Sequence, residues 1–321
     1  MAPRKRSAAA QPAGELELIE WIRGQAAMPR GVAIGPGDDC AALRLRPGEL
    51  CVVTTDSVIA GVHYDPGTAS PERIGRKSAA RSLSDLAAMA ARPVAIVCAA
   101  QFPRSTDMAY AKAIIKGQME VCRRCGAALA GGDVAVSDGP LSLNVTAIGA
   151  ARAGRLALRS GARPGDALCV TGELGGSILG HHLDFTPRLK EAQWLRRHAA
   201  LHAMIDISDG LARDAGRLAA ESGAGVVIDP ARLPLSAAAA EMSRRTGKPA
   251  VYHALNDGED YELLFAVAPR TAQALTARRG APCRVTTIGQ VVAERGLWIL
   301  DARGRRRRLA PGGWTYAFGK G

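Results

Sequence analysis

Residues 204–214 restrict the fold of this 321-residue chain more than any other stretch. An apolar run ends in Asp206 and Asp209, and Gly210 and a helical pattern follow. A strand that ends here and leads into a helix would place two carboxylates side by side. Carboxylates, phosphate oxygens and water are the ligands that Mg²⁺ prefers. The alternative is that Ser208 or Asp209 only caps the helix, as these residue types often do.

Acids in comparable surroundings recur along the chain, which favours a metal site over isolated caps. Asp56 follows Thr54 and Thr55 at the end of a buried-strand pattern, and Asp133 follows two glycines. Asp85 lies among small and apolar residues of a predicted helix. A charge on a closely packed helix is costly unless it is paired or metal-bound. We therefore treat all of these acids as candidate ligands.

Asp39, in the glycine loop at residues 35–40, adds another acid to this set. A pocket shared by so many carboxylates repels itself unless divalent cations fill it. An oxygen-rich site with few His or Cys residues favours Mg²⁺ over zinc. Several Mg²⁺ ions on protein acids indicate polyphosphate, because the metal bridges and neutralises phosphate oxygens. Walker A and kinase catalytic-loop patterns are both absent from the sequence, so an ATP site of another type is expected.

Hydrophobic periodicity divides the chain into two mixed α/β halves, which predicts the α/β (or α+β) class. We expect a disordered basic tail at 1–14, an N-terminal domain at 15–150 and a C-terminal domain at 151–321. The predicted helices cover residues 15–27, 71–91, 106–125 and 235–246, with one more after Gly210. The predicted strands cover 50–56, 94–101, 141–148, 167–171, 225–229 and 263–267, with one ending at Asp206 and two near residues 285 and 297.

Two loops carry further polar groups. The glycine turn at 172–177 separates a strand from a predicted helix, and such turns can hold an anion at the helix N-terminus. Its spacing matches neither a P-loop nor a dinucleotide-binding fingerprint. Residues 256–262 place four acids in a turn before a strand.

The net charge of +12 raises the question of nucleic-acid binding. Many of the basic residues stand in the tail and in a patch at 303–308, and aromatic residues for base stacking make up only 4% of the chain. A solvated surface explains this charge better than specific nucleic-acid binding does. No run approaches the roughly 18 apolar residues of a membrane span. The N-terminus does not resemble a secretory signal, and the seven cysteines do not resemble a disulfide framework, so we expect a cytoplasmic protein without a membrane partner.

Seven motifs in one order resemble the thiamine-monophosphate kinase family. They are Gly-x-Gly-Asp-Asp, Thr-Thr-Asp, Leu-Ser-Asp-Leu-Ala-Ala-Met, Gly-Gly-Asp, Arg-Ser-Gly-Ala-x-Pro-Gly-Asp, Asp-Ile-Ser-Asp-Gly-Leu and Gly-Glu-Asp-Tyr-Glu-Leu. The resemblance extends from about residue 34 to residue 318. It implies an N-terminal α/β domain that forms a homodimer through a shared β-barrel, and a C-terminal α/β domain that covers the nucleotide site. It also implies transfer of the ATP γ-phosphoryl group to thiamine monophosphate, which gives thiamine diphosphate.

The resemblance also implies roles for individual residues. The implied Mg²⁺ ligands are Asp39, Thr54, Thr55, Asp56, Asp85, Asp133, Asp206 and Asp209. Gly132, Asp133, Arg159 and Ser208 are implied to contact ATP, and Tyr110 is placed near the nucleotide without a motif around it. His63, Glu259 and Trp314 are implied to contact thiamine monophosphate, with Tyr316 as an alternative to Trp314. Asp56 and Asp209 are the residues to which we assign the catalytic role.

The chemistry of the acceptor agrees with this resemblance. A phosphate monoester has a second pKa near 6 and is largely ionised at neutral pH, so it needs no general base. It needs cations that hold two anions in line. We therefore expect direct phosphoryl transfer, without a phosphoenzyme.

Two alternatives remain open at this point. One is an ATP-dependent enzyme of the same superfamily with another acceptor, similar to selenophosphate synthetase or to the hydrogenase-maturation dehydratase. The first would use a reactive Cys near the N-terminus and the second a C-terminal Cys, and neither is present. The other alternative is a non-catalytic regulator that binds ATP or a thiamine phosphate, although such a protein would tolerate the loss of several of these acids.

Overall fold

A computed structural model describes residues 15–36, 40–310 and 312–315. The predicted tail, Asp39 and Tyr316 lie outside these described residues. The first part of the chain contains helices α1 (Glu15–Gln25), α2 (Pro71–Ala88) and α3 (Met108–Cys125), and strands β1 (Val32–Ile34), β2 (Ala42–Leu43), β3 (Glu49–Ile59), β4 (Arg92–Pro103), β5 (Ala128–Ser137) and β6 (Ser142–Arg152).

The second part contains more and shorter elements. Its helices are α4 (His181–Asp184), α5 (Leu189–His198), α6 (Leu211–Glu221), α7 (Ala237–Thr246), α8 (Ala250–Asn256) and α9 (Pro269–Thr276). Its strands are β7 (Ala167–Thr171), β8 (Ala203–Asp206), β9 (Gly225–Ile228), β10 (Leu263–Val267), β11 (Val285–Val292), β12 (Gly296–Leu300) and β13 (Arg306–Arg308). Two 3₁₀ turns cover Ser177–Leu179 and Pro230–Arg232.

Each part is built on its own sheet. The first is four-stranded in the order β3-β6-β4-β5, with only the β4–β5 pair parallel. The second is seven-stranded in the order β13-β12-β9-β11-β7-β10-β8 and is antiparallel except for the β12–β9 pair. The predicted mixed α/β class is confirmed. Among the described residues β3 and β5 are the free edges of the first sheet, so this sheet is not a closed barrel, and the barrel-type dimer interface stays a prediction. The domain boundary near residue 150 also stays a prediction; β6 ends at Arg152 and β7 begins at Ala167.

Helix α2 lies between the two sheets and carries side chains of the site described below. The Ser70 hydroxyl caps its N-terminus and Pro71 occupies its first turn, which is a favoured start for a helix. Small residues on its buried face allow α3 to pack very closely. A Cβ atom on Gly75 would lie only 1.9 Å from the carbonyl oxygen of Ile114. On its other sides α2 contacts β3 and β6 of the first part and α4, α5 and β8 of the second part. A displacement of α2 would therefore disturb both halves.

Most predicted elements are present, but the surroundings of two glycine segments were not foreseen. Gly131-Gly132-Asp133 lies inside β5, a strand that was not predicted. Gly132 is required there because a Cβ atom would come within 2.1 Å of the Cys98 carbonyl oxygen on β4. The turn at 172–177 leads only into a single 3₁₀ turn. The other elements that were not predicted are helices α4, α5, α8 and α9 and strands β1, β2 and β13. Most of them are short, and β13 is a run of arginines without apolar alternation. In the described residues, no helix is both long enough and apolar enough for a bilayer span.

Candidate active site

Three carboxylates from different elements form what we call the acid group: Asp56 on β3, Asp85 on α2 and Asp206 at the end of β8. Burial raises the pKa values of Asp56 and Asp206, and the charge of Asp85 raises both further. The pKa of Asp206 reaches about 8. Like charges at a desolvated site disfavour ionisation, so the acid group has a deficit of positive charge that a bound cation would relieve.

Hydroxyl groups orient two members of the acid group. The Ser84 hydroxyl donates to Oδ2 of Asp206 at 2.7 Å, and the Thr54 hydroxyl donates to Oδ2 of Asp85. Thr54 was expected to be a ligand itself, and here it contacts one of the acids. Thr55 lies on the opposite face of β3 because strand side chains alternate, and its hydroxyl donates to a backbone carbonyl of β6. The structure does not bring Thr55 to the acid group.

The donor set of the acid group fits Mg²⁺ in chemical type, since all its donors are oxygens. Among residues 15–36, 40–310 and 312–315, no three His, Cys, Asp or Glu side chains are arranged to hold a metal ion on their own. Mg²⁺ usually binds one or two carboxylates together with substrate phosphates and several waters. The acid group therefore suits an ion that arrives with a phosphate-bearing substrate better than a closed structural metal site.

The loop after β8 carries Asp209 without using it as a helix cap. The cap residue of α6 is Gly210, and no side chain caps this helix. Oδ2 of Asp214 instead accepts the backbone N–H groups of Ser208 and Asp209, at 3.0 and 2.9 Å. The Asp209 carboxylate pairs with Arg217 at 2.6 Å. The helix-cap alternative is thus wrong for both Ser208 and Asp209, and a cation on Asp209 would have to compete with Arg217.

A cavity of about 610 Å³, which we call the substrate cavity, lies between the β8–α6 loop and the segment that follows β3. It brings together five of the residues that the sequence assigned to ATP, substrate or catalysis. They are His63, Ser208, Asp209, Glu259 and Trp314. The C-terminal segment is held there by the backbone N–H of Trp314, which donates to the Asp209 carbonyl at 3.0 Å. The Trp314 side chain is half exposed, so its ring offers a face to a ligand.

Glu259 is held in its ionised form by a fully buried lysine of α2. Nζ of Lys77 lies 2.7 Å from Oε2 of Glu259, 2.8 Å from Nδ1 of His182 and 2.6 Å from the His63 carbonyl oxygen. Burial by itself raises the pKa of Glu259, but His182 and the charge of Lys77 outweigh it and lower that pKa to about 2. Nδ1 of His182 can accept from Lys77 or donate to Glu259, not both, so Lys77 is the constant partner of the carboxylate.

His63 is a neutral imidazole in this environment. Burial, followed by the positive charges of Arg81 and Lys77, lowers its pKa to about 4. Nδ1 accepts the backbone N–H of Ile59 at 3.0 Å, which places the ring proton on Nε2. His63 therefore lines the substrate cavity as an uncharged ring.

The glycine turn at 172–177 binds the protein's own carboxylates. The N–H of Gly175 and the hydroxyl of Ser177 each donate to Oδ1 of Asp260 at 2.8 Å. The next N–H, from Gly176, donates to Asp257 at 3.2 Å. The sequence had predicted an anion at this turn, and the anions are side chains of residues 256–262.

Glu262 is also neutralised within the protein. It forms a two-pronged ion pair with Arg188, and Oε2 additionally accepts the Thr171 hydroxyl at 2.6 Å. The backbone of this acidic loop is strained, since Glu259 and Tyr261 both have positive φ, at 55° and 51°. Such conformations cost about 1–3 kcal/mol each and persist only where surrounding contacts enforce them.

The remaining predicted residues lie outside the substrate cavity. Arg159 lines a neighbouring cavity of about 370 Å³ together with Thr54 and Asp85. Gly132 and Asp133 line a third cavity, of about 620 Å³, beside α1. Tyr110 is half buried in α3, packs against the main core and lines none of these three cavities of the described chain.

Asp133 is not brought to the acid group within one chain. Strand pairing places Asp56 opposite Val145, Val145 opposite Cys98, and Cys98 opposite Gly132, the neighbour of Asp133. Three strand spacings of about 4.8 Å put the two edges of this sheet about 14 Å apart. The metal role of Asp133 stays a prediction, as do the other residue roles.

Comparison of this chain with protein-family models and with known proteins gives one consistent family. Residues 37–151 match the N-terminal domain of AIR synthase related proteins, and residues 163–299 match their C-terminal domain. A thiamine-monophosphate kinase of Rhodopirellula baltica is 37% identical, over 94% of this chain and 97% of its own length. This chain belongs to the thiamine-monophosphate kinase family. The resemblance seen in the motifs is thereby confirmed.

Solved structures agree with this family. Thiamine-monophosphate kinase from Stenotrophomonas maltophilia K279a is 32% identical with a TM-score of 0.76, over 88% of this chain and 94% of that one. AaThiL complexed with AMPPCP and TMP is 27% identical with a TM-score of 0.74, over 94% of this chain and 96% of that one.

Sequence reasoning missed several side chains that support the site. Lys77, Arg81 and Ser84 all lie on α2, and with Asp85 they recur at the spacing of helical turns, which was the signal available in the sequence. Arg217 was missed because its partner Asp209 was considered only as a ligand or a cap. The sequence contains no comparable signal for the buried position of His182, which depends on how α4 packs on α2.

Proposed function

We propose that this chain transfers the γ-phosphoryl group of ATP to thiamine monophosphate and forms thiamine diphosphate. One observation carries the proposal: the acid group and the substrate cavity meet at Arg81. Nε of this arginine lies 3.2 Å from Oδ1 of Asp56, and the same side chain lines the substrate cavity beside Asp209. A cation-binding centre and a cavity for an organic acceptor thus adjoin.

The acid group is the part of the chain that would hold Mg²⁺. Asp85 and Asp206, with Asp56 beside them, provide oxygen ligands, and Asp209 provides another at the rim of the substrate cavity. Bound there, Mg²⁺ would neutralise phosphate oxygens and lower the repulsion between the two phosphorylated substrates. Ser84 keeps one oxygen of Asp206 hydrogen-bonded and so fixes the direction in which the other oxygen points.

The substrate cavity suits the acceptor's ring system and its phosphate. The half-exposed ring of Trp314 offers a stacking face to an aromatic or cationic ring. Glu259, ionised at neutral pH, attracts a cationic thiazolium, and His63 lines the cavity as an uncharged ring. Arg81 places a positive charge near the acid group, where it can contact the acceptor phosphate. For the nucleotide we propose the cavity that contains Arg159, Thr54 and Asp85.

No base is required for the reaction, because the acceptor phosphate is already ionised at neutral pH. We therefore propose direct in-line transfer, in which the acceptor oxygen forms a bond to the γ-phosphorus as the bond to the β,γ-bridging oxygen breaks. ADP carries away the electron pair of the broken bond. The side chains position and neutralise the two anions. Recovery of a stable phosphorylated protein after incubation with ATP alone would contradict this mechanism.

We also propose that the chain works as a homodimer in the cytoplasm. Val53 on β3 and Val136 on β5 are 60% and 51% exposed, and both strands are edges of the first sheet among the described residues. Unpaired edges with exposed apolar side chains favour pairing with another chain. All seven cysteines are free thiols, which agrees with a reducing compartment.

The test is a coupled product assay. The purified protein is incubated with Mg²⁺, ATP and thiamine monophosphate, and thiamine diphosphate and ADP are measured together. We expect equal amounts of both products, and neither when one substrate or Mg²⁺ is omitted. ADP without thiamine diphosphate would overturn the proposed acceptor, and absence of both products would overturn the proposed reaction.

A further inference from the structure

A second kind of site lies where α5 meets the end of the first sheet. A cavity of about 430 Å³ there, which we call the arginine cavity, is lined by six arginines and one acid, Glu49. The arginines are Arg46, Arg92, Arg152, Arg155, Arg196 and Arg197. None of them lines the substrate cavity or the cavity that contains Arg159.

A favourable interaction with a helix dipole explains only two of the six arginines in this cluster. Arg196 and Arg197 lie in the last turn of α5, where positive charges interact favourably with the helix dipole. The other four come from the segment before β3, the start of β4, the end of β6 and the turn that follows it. The end of α5, the segment before β3, the start of β4 and the end of β6 with its turn therefore bring like charges to one concave surface. Their mutual repulsion costs electrostatic energy unless negative groups neutralise it.

Protein carboxylates neutralise little of this charge. Arg92 lies 2.9 Å from Glu49, and this is the one acid partner among the described residues within 4.0 Å of the six guanidinium groups. Arg196 donates through one terminal nitrogen to the Gly154 carbonyl at 2.9 Å, but its Nε is buried without an acceptor. A buried donor without a partner is uncommon in folded proteins and indicates a missing acceptor.

We propose that the arginine cavity binds a small multi-anion that carries two or more phosphate or carboxylate groups. Guanidinium groups suit such ligands because each can donate two parallel hydrogen bonds. A concave site of this volume fits a small molecule, whereas a nucleic-acid backbone needs an extended basic stripe. A bound anion would link α5 of the second part to β4 and β6 of the first part, and so would stabilise their contact. The site lies close to the proposed nucleotide cavity, since Met89 lines that cavity and the adjacent Ala90 lines this one.

The test is isothermal titration of the full chain with inorganic pyrophosphate, without Mg²⁺, which measures the affinity for this anion. Arg155→Gln with Arg197→Gln removes two charges whose side chains make no hydrogen bond or ion pair with the described residues, so the fold should survive. Arg278→Gln with Arg279→Gln is the matched control, because it removes the same charge from an exposed turn elsewhere. We expect the first pair to weaken pyrophosphate binding roughly tenfold or more and the control pair to leave it unchanged, since hydrogen bonds to charged groups are among the stronger ones.

Thermal unfolding gives an independent reading. Pyrophosphate should raise the melting temperature of the wild type and of the control pair, because a ligand that binds only the folded state stabilises it. The Arg155/Arg197 pair should lose most of this shift while its turnover without added pyrophosphate stays normal. Equal affinity in both double variants would overturn the proposal and place the anion elsewhere, and so would an absence of pyrophosphate binding to the wild type.

Discussion

The acid group and the acidic loop at 257–262 are both rich in carboxylates, yet their surroundings are opposite. In the acid group, burial and the charge of Asp85 raise the pKa values of Asp56 and Asp206. Hydroxyls bind Asp85 and Asp206, and Arg81 pairs with Asp56. In the acidic loop Glu259 and Glu262 each have a cationic partner from another element. The difference teaches that a carboxylate-rich segment favours a metal site where the fold supplies fewer positive side chains than acids, as in the acid group, where Arg81 faces three carboxylates. Where the fold supplies them, the acids join elements together.

The largest effect is expected from Asp206→Asn in the acid group. Replacing a carboxyl group whose ionisation is disfavoured by its surroundings should leave the free energy of unfolding unchanged or raise it, because the amide oxygen can still accept from Ser84. Turnover should fall by roughly a thousandfold, the scale of losing one group that stabilises transition-state charge. Urea denaturation measures the free energy of unfolding and the product assay measures turnover, both on one preparation. A large loss of stability would mean that Asp206 is structural, as the acids of the loop are.

A large loss of folding stability is expected from Lys77→Met, which removes the cationic partner of Glu259 in the acidic loop. This change leaves Glu259 buried without its cation, and breaking such a pair costs about 3–5 kcal/mol of folding stability. Urea denaturation measures the loss. The control is Arg104→Met, which breaks the exposed pair with Asp138 and should cost less than about 1 kcal/mol. Equal losses in the two variants would show that burial does not distinguish these pairs.

The pH dependence of stability should separate two acids within the loop. The pKa of Glu259 is lowered to about 2, so its contribution is present above the unfolded value of 4.5 and is lost as pH falls towards 2. Burial raises the pKa of Asp260 to about 8 from 3.8, so the folded state binds more protons between these values and stability falls as pH rises through that window.

Variants of Glu259 and Asp260 test the direction in which each acid makes folding stability change with pH. Because the pKa of Asp206 is also raised to about 8, Asp260→Asn should reduce the fall towards pH 8 without removing it. The expected change is at least about 1 kcal/mol, the equivalent of less than one pKa unit. Glu259→Gln should instead flatten the acid side. Chemical denaturation at a series of pH values measures both curves. Oδ2 of Asp260 is buried without a hydrogen-bond partner among the described residues. If Asp260→Asn left the slope between pH 4 and 8 as it is in the wild type, this oxygen would have to be solvated.

The smallest effect is expected from Ser84→Ala beside the acid group. The loss of one hydroxyl should change folding stability by about 1 kcal/mol or less. It should raise the Mg²⁺ concentration needed for half-maximal turnover by roughly tenfold, because partners that orient metal ligands typically contribute that much. Ser78→Ala, which removes another buried hydroxyl of α2 bonded to a backbone carbonyl, is the control. A Mg²⁺ requirement equally changed in both variants would assign the effect to the helix as a whole.

The sequence alone determined the class of fold, most of the elements and the family. Helical periods of about 3.6 residues and short continuous apolar runs depend only on local order along the chain, which is why α2, α3, β7 and β10 were predicted almost residue by residue. Five of the residues that line the substrate cavity were also named in advance, as positions that the family resemblance implies. Asp39 lies outside the described residues, so the structure does not test it.

The tertiary structure alone decided which carboxylates are neutralised and which are not. The sequence does not show that Lys77 reaches Glu259, that Gly175 and Ser177 bind Asp260, or that Asp133 lies three strands from Asp56. The first two relations join residues 83 to 182 positions apart, and the third separates two acids by three strand spacings. All of them depend on how the two parts of the chain fold and pack. The pairing of charged side chains depends on contacts between distant parts of the packed chain, whereas hydrophobic patterns are local. Secondary structure was therefore predictable from the sequence and the pairing of the acids was not.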